Sequence, residues 1–375
     1  MLKGIHVSLL IGPAVPIPVS QEVLDAVTNV QVINSTDDKM NGFELTFVLS
    51  TRSPLQTIFL LSAGAPIPLI RVVIAVVING TTEVLMDGVM TQHEIKPGTD
   101  AAHTTLIVKG KDLTAVMDYL EFNIPYPAMP AEARVALMLA KYMAFGVIPL
   151  VTPSILIDVP IPIERIPNQR GTDLNYLRWL AKRVGYVFYL EPGPAMGTSV
   201  AYWGPEIKVG VPQPALNINM DAHTNVETLS FTFETEQRTL PIIYLQNKET
   251  KAIIPIPVLD ITPLNPPLGL IPPIPIQTKP VRGMAKYSPV EALLIGVAKA
   301  AKSSDAVKGT GSLDVLRYGR VLKARRLVGV RGAGLAFDGL HYVTSVTHTI
   351  KRGEYKQNFT LSRNGLISTL PEVPV

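Results

Sequence analysis

Any reactive chemistry in this 375-residue chain would have to come from six histidines and scattered carboxylates, because there is no cysteine. The histidines are His6, His93, His103, His223, His341 and His348. A zinc hydrolase needs two histidines one helical turn apart around a glutamate. No His-Glu-x-x-His run exists here, and His93-Glu94 is followed by Ile95-Lys96-Pro97, which cannot continue a helix. His341 and His348 are seven residues apart in one expected strand, where strict alternation sends them to opposite faces. Each histidine reads as a satisfied or surface residue. Thiolate nucleophiles, disulfides and thiolate metal sites are excluded, and no Gly-x-Ser-x-Gly elbow presents a serine. The carboxylate pairs Asp37-Asp38 and Glu234/Glu236 carry no glycosidase context, and the second pair would share a solvated strand face.

Two glycine-rich stretches invite comparison with phosphate sites. Lys308-Gly-Thr-Gly-Ser312 lacks the Gly-x-x-x-x-Gly-Lys-Ser/Thr order and follows no expected strand. Gly329-x-x-Gly-x-Gly334 has the wrong spacing for a dinucleotide loop and opens a strand instead of a helix. Both sets read as turn glycines. The densest charge cluster is Arg317, Arg320, Lys323, Arg325 and Arg326, either a solvated face or a patch that meets acidic groups of a neighbouring subunit. No catalytic, cofactor-binding or metal-ligating residue emerges, no cofactor is implied, and the chain is expected not to be an enzyme.

Hydrophobic residues make up 47% of the chain and charged residues 17%, a globular profile. The net charge of +4 is too small and too dispersed for nucleic-acid specificity. The absence of cysteine fits a reducing compartment. The N-terminus lacks the pattern of a signal peptide, and the longest apolar run, Leu69 to Ile78, is broken by Arg71 and falls short of the roughly 18 residues of a membrane span. A soluble product of cytoplasmic synthesis is expected. Proline, with 33 residues, is well above the ~5% usual in proteins. Many prolines alternate with aliphatic residues, as in Pro16-Ile-Pro18, Pro160-Ile-Pro162, Pro255-Ile-Pro257 and Pro272-Pro-Ile-Pro275. Such segments are sheet edges or extended connectors. They either fold over their own domain or are covered by neighbouring subunits.

The elements that would position these residues alternate between β-rich and mixed regions. Residues 1–120 read as a first antiparallel β-barrel. In it Phe43, Leu45, Phe47 and Leu49 share one face, Arg71–Ile78 is turned by Asn79-Gly80, an Asp-Gly step (Asp87-Gly88) makes a further turn, and a short helix is capped by Asp112. Residues 121–205 form a mixed α+β domain with helices at Pro130–Ala144 and Asp173–Val184. Val135, Met138, Leu139 and Tyr142 make the buried stripe of the first helix, and Thr172 caps the second. Val187–Leu190 and Ser199–Gly204 make a hairpin. A second barrel is expected from residues 206–245 together with 312–375. Between those two pieces, residues 246–311 form a proline-rich and helical insert. Its helix, Pro289–Ala301, starts at the capping box Ser288–Glu291 and buries Val290, Leu293, Leu294 and Val297, and Lys302–Gly311 follows as a flexible link. The closing hairpins turn at Asp338-Gly339 and Arg352-Gly353. Tyr342, Thr344, Val346 and His348 share one face, as do Tyr355, Gln357, Phe359 and Leu361.

Two stretches carry a family resemblance. Leu313-Asp-Val-Leu-Arg-Tyr-Gly-Arg320, with His341-Tyr-Val, Val346-Thr-His348 and Phe359-Thr-Leu-Ser-Arg363, resembles the baseplate hub of contractile phage tails and phage-tail-like injection systems, the late-control D and VgrG hub family. Gln169-Arg-Gly-Thr-Asp173, leading into the helix to Tyr186, is similar to the same family. The resemblance implies a β-rich α+β fold with two small antiparallel barrels and mixed α/β inserts. It also implies a homotrimer whose six barrels form a ring between a hexameric inner tube and a trimeric spike, at the centre of a baseplate. The chain stops about a dozen residues after its last hairpin, with no OB-like barrel or β-helix needle, so the spike is expected to be a separate chain. The functional alternatives are a cell-wall-binding or peptidoglycan-degrading tail component and a stand-alone ligand-binding barrel.

Overall fold

Alternating β-branched and aromatic residues dominate the first third of the chain, and they fold as strands. The computed structural model describes residues 5–13, 15–49, 69–98, 104–154, 159–164, 166–235, 239–246, 250, 252–259, 265–284 and 287–370. The first third contains β1 (Ile5–Pro13), β2 (Ile17–Pro18), helix α1 (Gln21–Ala26), β3 (Val27–Ser35), β4 (Gly42–Val48), β5 (Ile70–Ile78), β6 (Thr81–Lys96) and β7 (Thr105–Asp112). Side by side, the six long strands run β3-β4-β7-β6-β5-β1, all antiparallel. Phe43, Leu45, Phe47 and Leu49 are buried, as their period of two requires. Asn79 and Gly80 both take positive φ, 49° and 80°, the conformation of a type I′ hairpin turn. The Asp87-Gly88 step is not a turn. It lies inside β6, where the Asp87 carboxylate accepts from Arg71 Nε at 2.8 Å and Nη2 at 2.6 Å across the ladder.

The middle region comprises β8 (Glu121–Pro125), α2 (Ala131–Ala140), β9 (Val147–Val151), β10 (Asn168–Thr172), α3 (Asp173–Arg183), β11 (Val187–Pro192) and β12 (Ser199–Gly204). Pro130 caps α2, which ends four residues earlier than expected; a 3-10 turn and Gly146, at φ 71°, complete the reversal. The Thr172 hydroxyl accepts from Asn175 N at 3.2 Å, as an N-cap should. Val135, Met138, Leu139, Leu177 and Leu180 pack around the fully buried Trp203. The hairpin of β11 and β12 is present, and β9 joins it in parallel.

The remaining elements are β13 (Gln213–Asn217), β14 (Thr228–Phe233), β15 (Thr239–Gln246), β16 (Ile253–Pro257), β17 (Gly269–Ile271), β18 (Gln277–Pro280), α4 (Pro289–Ser303), β19 (Val307–Asp314), α5 (Val315–Tyr318), β20 (Leu327–Arg331), β21 (Gly339–Lys351), β22 (Glu354–Arg363) and β23 (Leu366–Ser368). Six of them line up as β14-β19-β22-β21-β20-β13. Numbered within each half, both orders read 2-3-6-5-4-1, so the two halves are topological repeats. The first strand breaks the match: β1 runs antiparallel to β5, whereas β13 runs parallel to β20.

Several expectations are corrected. The β-rich α+β class holds, but neither half closes into a barrel among the described residues: β1 does not pair with β3, nor β13 with β14. The outer edge of β3 is taken by β21, so both halves belong to one 13-stranded sheet with a shared apolar core. At β13 the side chain of Asn225 stands in for a strand, accepting from Asn217 N at 2.7 Å and donating to the Ala215 carbonyl at 2.9 Å. Lys308-Gly-Thr-Gly-Ser312 is neither a link nor a turn. It lies in β19, where Gly309 opposes Phe231 and Gly311 opposes Phe359. On α4 the buried residues are Ala292, Ile295, Gly296, Ala300 and Ala301, with Leu294 and Val297 half-buried, while Val290 and Leu293 are exposed. Gly296 selects that face, because the absence of a Cβ lets Ile243 of β15 close on the helix. On β21 a bulge at Thr344 shifts the register. Val343 and Val346 therefore both enter the main core while Tyr342 joins a separate cluster, and His341 and His348 end on one face instead of two. Several Pro-Ile segments are not folded over their own domain: Ile163 is 94% and Ile274 82% exposed.

Glycine opposite phenylalanine recurs in both halves, since Phe43 of β4 faces Gly110 of β7. A Cβ at Gly110 would fall on the Phe43 ring and 2.5 Å from the Val89 carbonyl oxygen. Gly110→Ala is expected to lower unfolding stability by about 1–3 kcal/mol through overpacking, read as a lower urea midpoint at unchanged slope.

Candidate functional site, the seam and the open edges

What organises the molecule is a strand pairing, not a pocket. β3 is rich in β-branched residues, with Val30 and Val32 facing the core. Residues 29–35 of β3 pair antiparallel with Ser345–Lys351 of β21, from Asn29↔Lys351 to Ser35↔Ser345. Ladder rows cross this seam unbroken: Lys356, Thr349, Gln31, Glu44, Lys109 and Gln92 are successive partners on six strands.

A buried polar network sits under the seam. The His348 Nδ1 lies 2.8 Å from the Tyr355 hydroxyl and 3.2 Å from Gln357 Nε2. Gln357 in turn accepts from Leu322 N at 3.0 Å and donates to the Leu322 carbonyl at 2.8 Å. Asn34, on β3, donates to the Leu85 carbonyl at 3.1 Å and lies 3.4 Å from His348 Nε2. Burial holds His348 neutral, with its pKa lowered to about 3, and pushes the Tyr355 phenol above its ordinary range. The arrangement can hold the two halves of the sheet in register. It presents no activated nucleophile to solvent.

The basic run is largely used within the chain. Arg325 donates to the Ser35 carbonyl at 2.9 Å and stacks 3.8 Å over the Tyr189 ring; Lys323 pairs with Glu83 at 2.6 Å and Arg326 with Glu191 at 2.8 Å. These contacts clamp the second half onto the first half and the middle region. Arg317 and Arg320 are exposed. His6, His93 and His223 are exposed and His341 is buried, with burial and the nearby Arg363 guanidinium lowering its pKa to about 3. His103 and Glu236 fall outside the described residues. Among the described residues no group of three or more His, Cys, Asp or Glu could hold a metal ion. Sequence reading missed β3 and Asn34, although the alternation Val30-Gln-Val32 was a usable signal.

Two of the unpaired strand edges in the large sheet stand out by their place in the repeat. Among the described residues β6 pairs with β5 only through Val89, so Thr91–Lys96 has β7 on one side and no described strand on the other. Among the described residues β14 pairs with β19 alone. These edges are the counterparts of the seam strands: β6 is the fifth strand of its half, as β21 is, and β14 the second, as β3 is. The likeness extends to detail, because β6 shifts register at Thr91 against β7 as β21 does at Thr344 against β22.

A pH dependence follows from the two buried histidines. Both are neutral when folded, whereas the unfolded chain protonates them below about pH 6.5. The unfolded state binds more protons between pH 6.5 and about 3, so their contribution is complete above pH 6.5 and is lost as pH falls. At pH 5 the loss is about 2 kcal/mol per histidine. Asp112, raised by burial, acts in the opposite sense, so the test is differential. His348→Gln is expected to lower the melting temperature at pH 7.5 and to narrow its deficit against wild type by pH 5.

No protein-family model matches the sequence, and no curated protein matches it. Solved structures do match the fold. A tail protein from Neisseria meningitidis aligns with a TM-score of 0.62 at 15% identity, covering 97% of this chain and 98% of its own. The 43 kDa tail protein of prophage MuSo2 from Shewanella oneidensis gives 0.62 at 15%, covering 96% and 98%. The Escherichia coli c3393 protein, a type VI secretion component with structural similarity to T4 bacteriophage tail proteins, gives 0.52 at 13%, covering 93% and 78%. Identities this low speak for backbone architecture alone. The chain therefore has the fold shared by phage tail proteins and a type VI secretion component, of the β-rich α+β class that its resemblance to baseplate hubs implied but without closed barrels among the described residues.

Proposed function

We propose that this protein is a structural hub of a contractile tail or injection-system baseplate, in which three chains close a ring of six similar halves between a hexameric inner tube and a trimeric spike. The observation that carries the proposal is the pairing of β21 with β3 inside the chain while the equivalent edges, Thr91–Lys96 of β6 and β14, have no further strand partner among the described residues. Joining β6 of one chain to β14 of the next repeats the internal seam as a head-to-tail contact, the kind that makes closed rings. Three chains supply six units, the number that faces a six-membered tube. The role is mechanical, and no residue is assigned a reaction.

The internal seam also predicts the register of the contact. Counting along the ladders, Gln92, Lys109, Glu44 and Gln31 correspond to Ser345, Thr360, Thr310 and Ser230. Since Gln31 pairs with Thr349, Ser230 should pair with Lys96, and Thr232 with Glu94. Ile95, half exposed on the open edge, would then lie opposite Phe231.

Directly opposed strand residues lie about 4.5–5.5 Å apart between Cα atoms, within disulfide range. In a chain without native cysteine, Glu94→Cys with Thr232→Cys is expected to give an oxidised ladder that ends at a covalent trimer on non-reducing gels. Glu94→Cys with Phe233→Cys, one residue out of register, should give none. A chain that stays monomeric at assembly concentrations, or a ladder that runs on past three, would overturn the ring.

A further inference from the structure

Away from the sheet, a cleft of about 290 Å³ opens beside α3, lined by Arg134, Asn168, Tyr176, Trp179, Arg183 and Tyr287 among others. Its floor is unusual. Arg134 is only 1% exposed, yet among the described residues no carboxylate pairs with it. Its Nη1 donates to the Tyr176 hydroxyl at 2.7 Å and its Nε makes a long contact to the Pro130 carbonyl, 3.4 Å. No protein acceptor among the described residues reaches Nη2. A buried guanidinium with no counter-charge is costly unless an anion completes it.

The walls suit a planar or apolar body attached to that anion. Tyr126, Tyr176 and Trp179 form a stacked row, with centroids 6.1 and 5.5 Å apart. Arg183 lies 4.9 Å over the Trp179 ring and is held by Glu291, which accepts from its Nε at 2.8 Å. Two guanidinium groups thus flank an aromatic platform, and one of them lacks a carboxylate. Beside the cleft, Asn168 begins β10, which pairs only with β8 in a two-stranded sheet, so its outer edge has no strand partner among the described residues. An open strand edge next to the cleft favours an extended polypeptide as the source of the anion.

We propose that this cleft binds a carboxylate presented by an extended polypeptide segment, with Arg134 as the buried anchor and the Tyr176–Trp179 face as the platform for the residues around it. The site stands apart from the seam and does not depend on the ring. It would give the molecule a lateral attachment point for a partner bearing an acidic side chain or a free chain end.

Trp179 supplies a local signal, since it is 40% exposed and the chain's other tryptophan, Trp203, is fully buried. Three capped probes suffice with the full-length protein: acetyl-Ala-Leu-Asp-Leu-Ala-amide, its Asn twin, and acetyl-Ala-Leu-Asn-Leu-Ala ending in a free carboxylate. A charged peptide is expected to shift Trp179 emission and to bind about tenfold or more tighter than the neutral twin. A preference for the Asp peptide assigns an acidic side chain as the source, and a preference for the third assigns a chain end. Arg134→Gln should remove the discrimination. Because Arg134 is buried, Asn168→Asp provides a second variant at the exposed rim, where added negative charge should weaken charged peptides about tenfold and spare the neutral one. Equal binding of charged and neutral peptides, no emission shift at millimolar peptide, or an Asn168→Asp variant that binds as wild type would each overturn the proposal.

Discussion

A strand in a sheet has two edges of backbone donors and acceptors, and every edge needs water, a strand or a substitute. The structure turns on how that requirement is met at β3. A first half closed into a barrel would use the outer edge of β3 for itself. Here that edge is given to β21, and the pairing fuses two topological repeats into one sheet. The seam therefore takes the edge with which the first half would close, and it is the reason the two halves share a core.

The bulge at Thr344 makes this division possible. Before it, β21 pairs with β20 inside its own half; after it, the same side of the strand pairs with β3. One extra residue re-aims the strand and moves Val346, His348 and Ile350 onto the core face, where His348 meets Tyr355 and Gln357. A neutral histidine suits that place. It makes polar contacts through its ring without bringing a charge into an apolar interior, and the cost appears only in acid, when the unfolded chain can take a proton that the folded one refuses.

Much of this was legible in the sequence, for reasons specific to each element. Asn79-Gly80, the Thr172 cap and the Ser288–Glu291 capping box are local codes, and all three formed as read. The buried face of β4 followed from strict alternation. The errors share one cause, which is tertiary choice among locally equivalent options. Gly309 and Gly311 look like turn residues until Phe231 and Phe359 are found across the ladder. The apolar stripe on α4 was chosen from helix periodicity alone, but a glycine decided which face Ile243 could approach. Alternation also failed at Thr344, because a bulge leaves no mark in the residue types around it. Arg134 was invisible for a similar reason, since a lone arginine on a helix gives no sign that the fold will bury it without a carboxylate.

The same edge reasoning accounts for the chain's proline content. The segments around Ile17, Ile163 and Ile274 expose large aliphatic side chains, which on an ordinary strand would invite sheet addition by any passing chain. Prolines at alternate positions remove the donors that such addition needs, so these segments can stay apolar at the surface without becoming adhesive edges. β6 and β14 carry no such protection: neither Thr91–Lys96 nor Thr228–Phe233 contains a proline. A chain this rich in proline that omits it from these two edges leaves them able to accept a strand, and what distinguishes them from the blocked segments is that each has a counterpart already paired at the seam.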